Sequence, residues 1–74
     1  MSEKHIRLSP DTVIKFVKKS QQCDFNIDVT YDRIEVDAKS LLGMLSLDFT
    51  KIMNVRYYGS NEDLEGYMNE LAVD

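Results

Sequence analysis

Ser40 is the residue best placed to do chemistry. It stands where the alternating stretch Ile34-Glu35-Val36-Asp37-Ala38 gives way to the apolar run Leu41-Leu42-Gly43-Met44-Leu45-Ser46-Leu47. That change of period marks a strand ending and a helix beginning, with serine at the junction. A serine at a helix start can carry a phosphoryl group whose oxygens meet free backbone N–H groups, and Lys39 adds a cation beside it. The plainer role is a cap, the hydroxyl accepting from an N–H one turn on. His5 is the only histidine. It is either a phosphoryl acceptor or an exposed strand residue. Arg7, two residues on, could bind an anion together with the N–H groups near Pro10-Asp11-Thr12, or stand as an ordinary surface arginine. Cys23 has no second cysteine and no neighbouring histidine, so it supports no disulfide, metal site or nucleophile. Glu62, Asp63, Glu65 and Glu70 read as solvated helix faces, and no motif asks for a cofactor.

The run after Ser40 poses a packing question. Leu41, Leu42, Met44, Leu45 and Leu47 point all round a short helix, which has only one stripe to bury. Some of them must be core. The remainder forms an exposed patch on which a partner could dock, with Leu41, Leu42, Met44 and Leu45 as candidates. Met44 and Leu45 could adapt to several partners.

The surrounding elements follow from periodicity. Lys4–Leu8 alternates as a strand with Ile6 and Leu8 inward. Ser9-Pro10-Asp11 starts a helix, with serine as cap and proline at the first helical position. Val13, Ile14, Phe16 and Val17 form its apolar face, and it fades near Gln21. Phe25, Ile27, Val29 and Tyr31 alternate with polar residues as a second strand. Asp32-Arg33 turns the chain into a third, carrying Ile34, Val36 and Ala38 inward. Met53, Val55 and Tyr57 form a fourth, ended by Gly59. Ser60 is expected to cap the last helix with Asp63 at its third position. Leu64, Tyr67, Met68 and Leu71 share one face of that helix. The order is β-α-β-β-α-β-α. Strands with one polar face point to a mostly antiparallel sheet with helices on its apolar side.

Composition sets the bounds. Seventy-four residues, 43% hydrophobic and 30% charged, fit one globular domain (residues 1–74) near the lower size limit for an unstapled core. A net charge of −4 without a basic stripe argues against a nucleic-acid partner. The absence of a long apolar run argues against membrane insertion. A lone cysteine and a charged N-terminal stretch fit a reducing, cytoplasmic setting.

The element order and the segment Val36-Asp37-Ala38-Lys39-Ser40-Leu41-Leu42-Gly43-Met44-Leu45-Ser46-Leu47 resemble the histidine-containing phosphocarrier (HPr) family of the bacterial sugar phosphotransferase system. The family's segment reads V-N-x-K-S-I-M-G-x-M-S-L. Lys39, Ser40, Gly43, Ser46 and Leu47 match outright, and Leu41, Leu42 and Leu45 are apolar substitutions. The resemblance implies an α+β open-faced β-sandwich, a four-stranded antiparallel sheet with three helices on one face. It implies that Ser40 is a regulatory phosphorylation site for HPr kinase/phosphorylase. It also implies that the residues after Ser40 dock on phosphotransferase-system enzymes or a transcriptional regulator. The chain departs from the family at the acceptor motif G-[LIVM]-H-x-R-P. Alignment on Pro10 puts Arg7 in the histidine slot and Ser9 in place of the arginine. Arginine stays protonated and has no lone pair to offer a phosphoryl group.

Three functional readings emerge. The first is a non-enzymatic regulatory and binding module acting through Ser40, the apolar patch and the flanking Lys39 and Arg7. The second is a phosphocarrier using His5. The third is a silent interaction domain. A small acidic chain with Ser40-Leu41 is also similar to an acyl carrier protein, but Lys39 stands where that family has aspartate, and the alternating segments contradict a helical bundle.

Overall fold

Four strands form the sheet of the computed structural model, which describes residues 1–73. They are β1 (Ser2–Ile6), β2 (Ile27–Tyr31), β3 (Ile34–Asp37) and β4 (Met53–Tyr57). The helices are α1 (Pro10–Gln21), α2 (Leu41–Leu45) and α3 (Glu62–Leu71). The sheet order is β1-β4-β2-β3, antiparallel throughout. The architecture is thus the expected α+β arrangement with β-α-β-β-α-β-α order.

The core lies between sheet and helices. Ile6, Ile27, Val29, Met53, Val55 and Tyr57 meet Val13, Phe16 and Val17 of α1, Met44 of α2, and Leu64, Tyr67 and Met68 of α3. Burial keeps the phenols of Tyr57 and Tyr67 protonated to higher pH than usual, with Glu65 and Glu70 respectively adding to the effect. The opposite face of the sheet is polar. Glu3 and Arg56 pair there in one register row, and His5, Asn54 and Thr30 in the next. Beyond α3, the Val73 N–H donates to the His5 carbonyl at 2.9 Å and Ala72 bridges Ile6, so the chain covers the outer edge of β1.

Local chemistry explains the helix starts. Ser9 caps α1 in a reciprocal box. Its hydroxyl accepts from the Thr12 N–H at 3.2 Å, and the Thr12 hydroxyl accepts from the Ser9 N–H at 2.9 Å. Asn61, not Ser60, caps α3. Its side-chain oxygen accepts from the Leu64 N–H at 2.9 Å, and the Glu65 carboxylate reaches back to the Asn61 N–H and the Ser60 hydroxyl. Asparagine caps as well as serine, and the Glu65 interaction selects the later start.

Other boundaries also move. β1 stops at Ile6, although Leu8 remains buried, and β2 begins at Ile27, not Phe25. Ile14 is exposed because the buried face of α1 runs through Val13, Phe16, Val17 and Ser20. Ile34 is exposed because it sits on the edge strand β3. Asp32 turns the hairpin with φ of 51°, a left-handed conformation that aspartate tolerates better than most residues.

Gly66 occupies the exposed side of α3, where an added Cβ would meet nothing within 4 Å. Gly66→Ala should therefore stabilise the protein by about 1 kcal/mol, because alanine loses less backbone entropy in a helix. A higher urea midpoint with an unchanged slope is the expected reading. A lower midpoint would mean that the glycine serves a purpose other than filling a helix position.

Candidate functional site

Helix α2 is only five residues long, and its four apolar side chains divide unequally. Met44 is wholly buried, while Leu41, Leu42 and Leu45 are 42%, 84% and 45% exposed. Met44 therefore belongs to the core and is withdrawn as a docking residue. One inward position suffices for so short a helix, and the leucines on its other sides stay in water. Gly43 is needed for the approach to β3, since a Cβ there would lie 2.8 Å from Val36 Cγ1 and 3.1 Å from Ser40 Oγ.

Ser40 is exposed at the N-cap of α2, and its hydroxyl accepts from the Gly43 N–H at 3.3 Å. Lys39 is otherwise engaged. Its ammonium donates to the Cys23 carbonyl at 2.8 Å, and its own carbonyl accepts from the Gln21 side chain at 3.0 Å. Lys39 thus ties the end of α1 to the start of α2 instead of presenting a free cation to a partner or to Ser40. Buried Cys23 lies at this junction. Its thiol donates to the Lys19 carbonyl at 3.6 Å, and desolvation raises its pKa, so it is a poor nucleophile.

His5 and Arg7 lie elsewhere. Ile6 points into the core, so His5 projects from the opposite, polar face of the sheet, opposite Asn54 in the register. Arg7 lies just before the Ser9 cap of α1. It lines a groove with His5, and the Thr12 and Val13 N–H groups of α1 donate to Ser9. The groove escaped sequence reasoning because its walls come from three strands, a hairpin turn and the 50–52 loop. Among the described residues there is no cluster of histidine, cysteine and carboxylate side chains able to hold a metal ion. No helix among them is long and apolar enough to cross a membrane.

A family model described as the PTS HPr component phosphorylation site matches residues 11–73. The chain belongs to the PTS-HPr family. HPr proteins are phosphocarriers of the sugar phosphotransferase system rather than enzymes. The match begins downstream of Arg7 and Ser9, and includes Ser40 and the whole of α2. Two solved structures share the HPr fold. HPr-C-His from Thermoanaerobacter tengcongensis superposes with a TM-score of 0.76 at 23% identity, covering 97% of this chain and 91% of its own. The phosphocarrier protein HPr from Bacillus anthracis str. Ames gives 0.72 at 21% identity, covering 95% of each chain. A search of curated proteins found no match.

Proposed function

We propose that this HPr-family chain is a regulatory interaction module that docks through Leu41, Leu42 and Leu45 and is modified on Ser40. The exposure of three leucines around a helix anchored by one buried methionine carries the reading. Such a patch is costly to leave in water and suits a partner with an apolar groove. The Ser40 hydroxyl lies beside it in the open. A helix of one and a half turns has a small dipole, so accessibility supports modification here more than field does. A phosphate at Ser40 would place two negative charges next to the leucines and change which partners can seat on them. Partners of this kind are HPr kinase/phosphorylase, other phosphotransferase-system proteins and a transcriptional regulator. The first proposal includes loss of the acceptor chemistry, with Arg7 in the histidine slot and Ser9 capping α1.

A second reading, a phosphocarrier using His5, is favoured by the family's description as a phosphorylation-site component and by the exposure of His5. One experiment separates the two. The protein is incubated with ATP and HPr kinase/phosphorylase, or with phosphoenolpyruvate and Enzyme I, and its intact mass is read before and after acid treatment. We expect a single acid-stable phosphate on Ser40 in the first arm, absent from Ser40→Ala. Leu42→Asp should be phosphorylated at least tenfold more slowly, a loss of about 1.4 kcal/mol of recognition. An acid-labile adduct in the second arm, abolished by His5→Ala, would establish the carrier reading. No adduct in either arm would leave a silent interaction domain.

A further inference from the structure

On the polar face of the sheet, away from α2, the structure contains a groove of about 520 Å³. This volume lies in the range of small-molecule sites. His5, Asn54 and Thr30 form its floor, three residues in one register row across β1, β4 and β2. Arg7 closes one end. Lys51 and Ile52 of the loop before β4, with Tyr31 and Asp32 of the hairpin turn, supply the walls. We propose that this groove binds a small phosphate monoester of a polyol.

Charge supplies the first argument. The chain carries a formal net charge of −4, yet Arg7, Lys51 and His5 line this groove with one carboxylate, Asp32, while Asp48 and Glu3 stand behind the lining on Thr50 and Asn54. An anion repelled by most of the surface meets a local field of the opposite sign. The Arg7 side chain has no hydrogen bond or ion pair among the described residues. Lys51 is held only by Asp32, in a long and exposed pair at 3.7 Å. Such pairs contribute little, so both cations are available to an anion.

Hydrogen-bonding capacity along the groove adds to its charge. The Thr30 hydroxyl donates to the Asn54 carbonyl at 3.3 Å, and the Thr50 hydroxyl donates to the Asp48 carboxylate at 2.6 Å. Both threonine hydroxyl oxygens at this groove can therefore only accept from a ligand, whereas the Tyr31 hydroxyl, which accepts from the Asp48 N–H at 2.9 Å, keeps its proton to donate; the pair of roles suits a molecule bearing hydroxyl groups. The Asn54 carboxamide is loosely held. Its oxygen is buried without a partner, and its nitrogen makes one contact of 3.5 Å to Glu3. Turning it end for end sacrifices little, so it can offer N–H to an anion or C=O to a hydroxyl. Two cations and a histidine in the lining, with threonine acceptors beside them, match a phosphate dianion on a short hydroxylated chain.

Titration of the ¹⁵N-labelled protein with glycerol 3-phosphate at low ionic strength tests this. We expect saturable shifts concentrated at Arg7, Lys51, Ile52 and Asn54, with millimolar affinity. The double variant Arg7→Gln/Lys51→Gln should bind at least tenfold more weakly, its amide spectrum away from the groove unchanged because both side chains are exposed. Glycerol should give no saturable shifts, and inorganic phosphate should bind more weakly than the ester. Non-saturating shifts, an unaffected double variant, or equal affinity for inorganic phosphate would each overturn the proposal. Equal affinity would leave only an unselective anion shelf.

Discussion

Met44→Ala lowers the unfolding free energy by about 2–5 kcal/mol, the cost of emptying a fully buried methionine site in a packed core. At 74 residues the whole protein has on the order of 4–11 kcal/mol to lose, so this single truncation removes a large fraction of its stability. The reason lies in the brevity of α2. Met44 is its only buried residue, and isolated helices of this length do not persist in water. Without that side chain, Ser40 and the exposed leucines lose the platform that holds them together. Met44→Leu should cost less than about 1.5 kcal/mol, because it refills most of the volume. Leu42→Ala, at a side chain 84% exposed, should stay within about 0.5 kcal/mol of the parent. Urea unfolding of the three variants checks the order. If Leu42→Ala proved as damaging as Met44→Ala, the leucines would be structural and the docking reading would fall.

Gly59→Ala is expected to cost about 1–3 kcal/mol through overpacking. A Cβ at this position would lie 2.3 Å from Phe25 Cδ1, 2.5 Å from Cγ and 2.8 Å from Cε1. These atoms span one side of a rigid ring, so it must swing as a unit. Phe25 is half-buried and packs against the core just before β2. Its displacement also strains the adjacent link where the Tyr58 N–H donates to the Asn26 carbonyl at 3.2 Å. The glycine is there for space rather than for backbone conformation, as its φ is not positive. A double-mutant cycle tests that cause. Introducing Gly59→Ala into a Phe25→Ala background should cost much less than in the parent. An undiminished cost would place the origin in the backbone.

The fold was legible wherever a period was strong. Alternation located all four strands, Ser9 and Ser40 marked two helix starts, and the Leu64-Tyr67-Met68-Leu71 spacing placed the third helix correctly. Legibility failed where two residues compete for one role. Ser60 and Asn61 are both good caps, and only the reach of Glu65 decides between them. It failed again in α2, where five residues are too few to define a face, so Met44 was indistinguishable from its leucine neighbours. Ile14 and Ile34 read as inward on pattern alone, yet one lies off the buried face of α1 and the other on the sheet's edge. Lys39 looked like a free cation beside Ser40, whereas its ammonium is bound to a carbonyl 16 positions away. The groove beside His5 could not be read at all, because residues that line it are brought together only by pairing of β1, β4 and β2.

The strand order also governs how the molecule assembles. Among the described residues, the hairpin of β2 and β3 is the one ladder between strands adjacent in the chain. Every other strand pairing waits for β4, which lies between β1 and β2 and pairs Tyr57 with Ser2 on one side and with Ile27 on the other. Until β4 is laid down, β1 has no neighbouring strand in the sheet, although it is the first part of the chain. Insertion of one strand thus closes two long loops together, and the entropy of both closures is met in a single event. A sheet wired in this way leaves little room for a half-built intermediate. Helix α2 packs chiefly on α1 and on β3, both earlier in the chain, so the exposed leucines sit over the sheet's edge hairpin and not over the strand whose insertion closes the sheet.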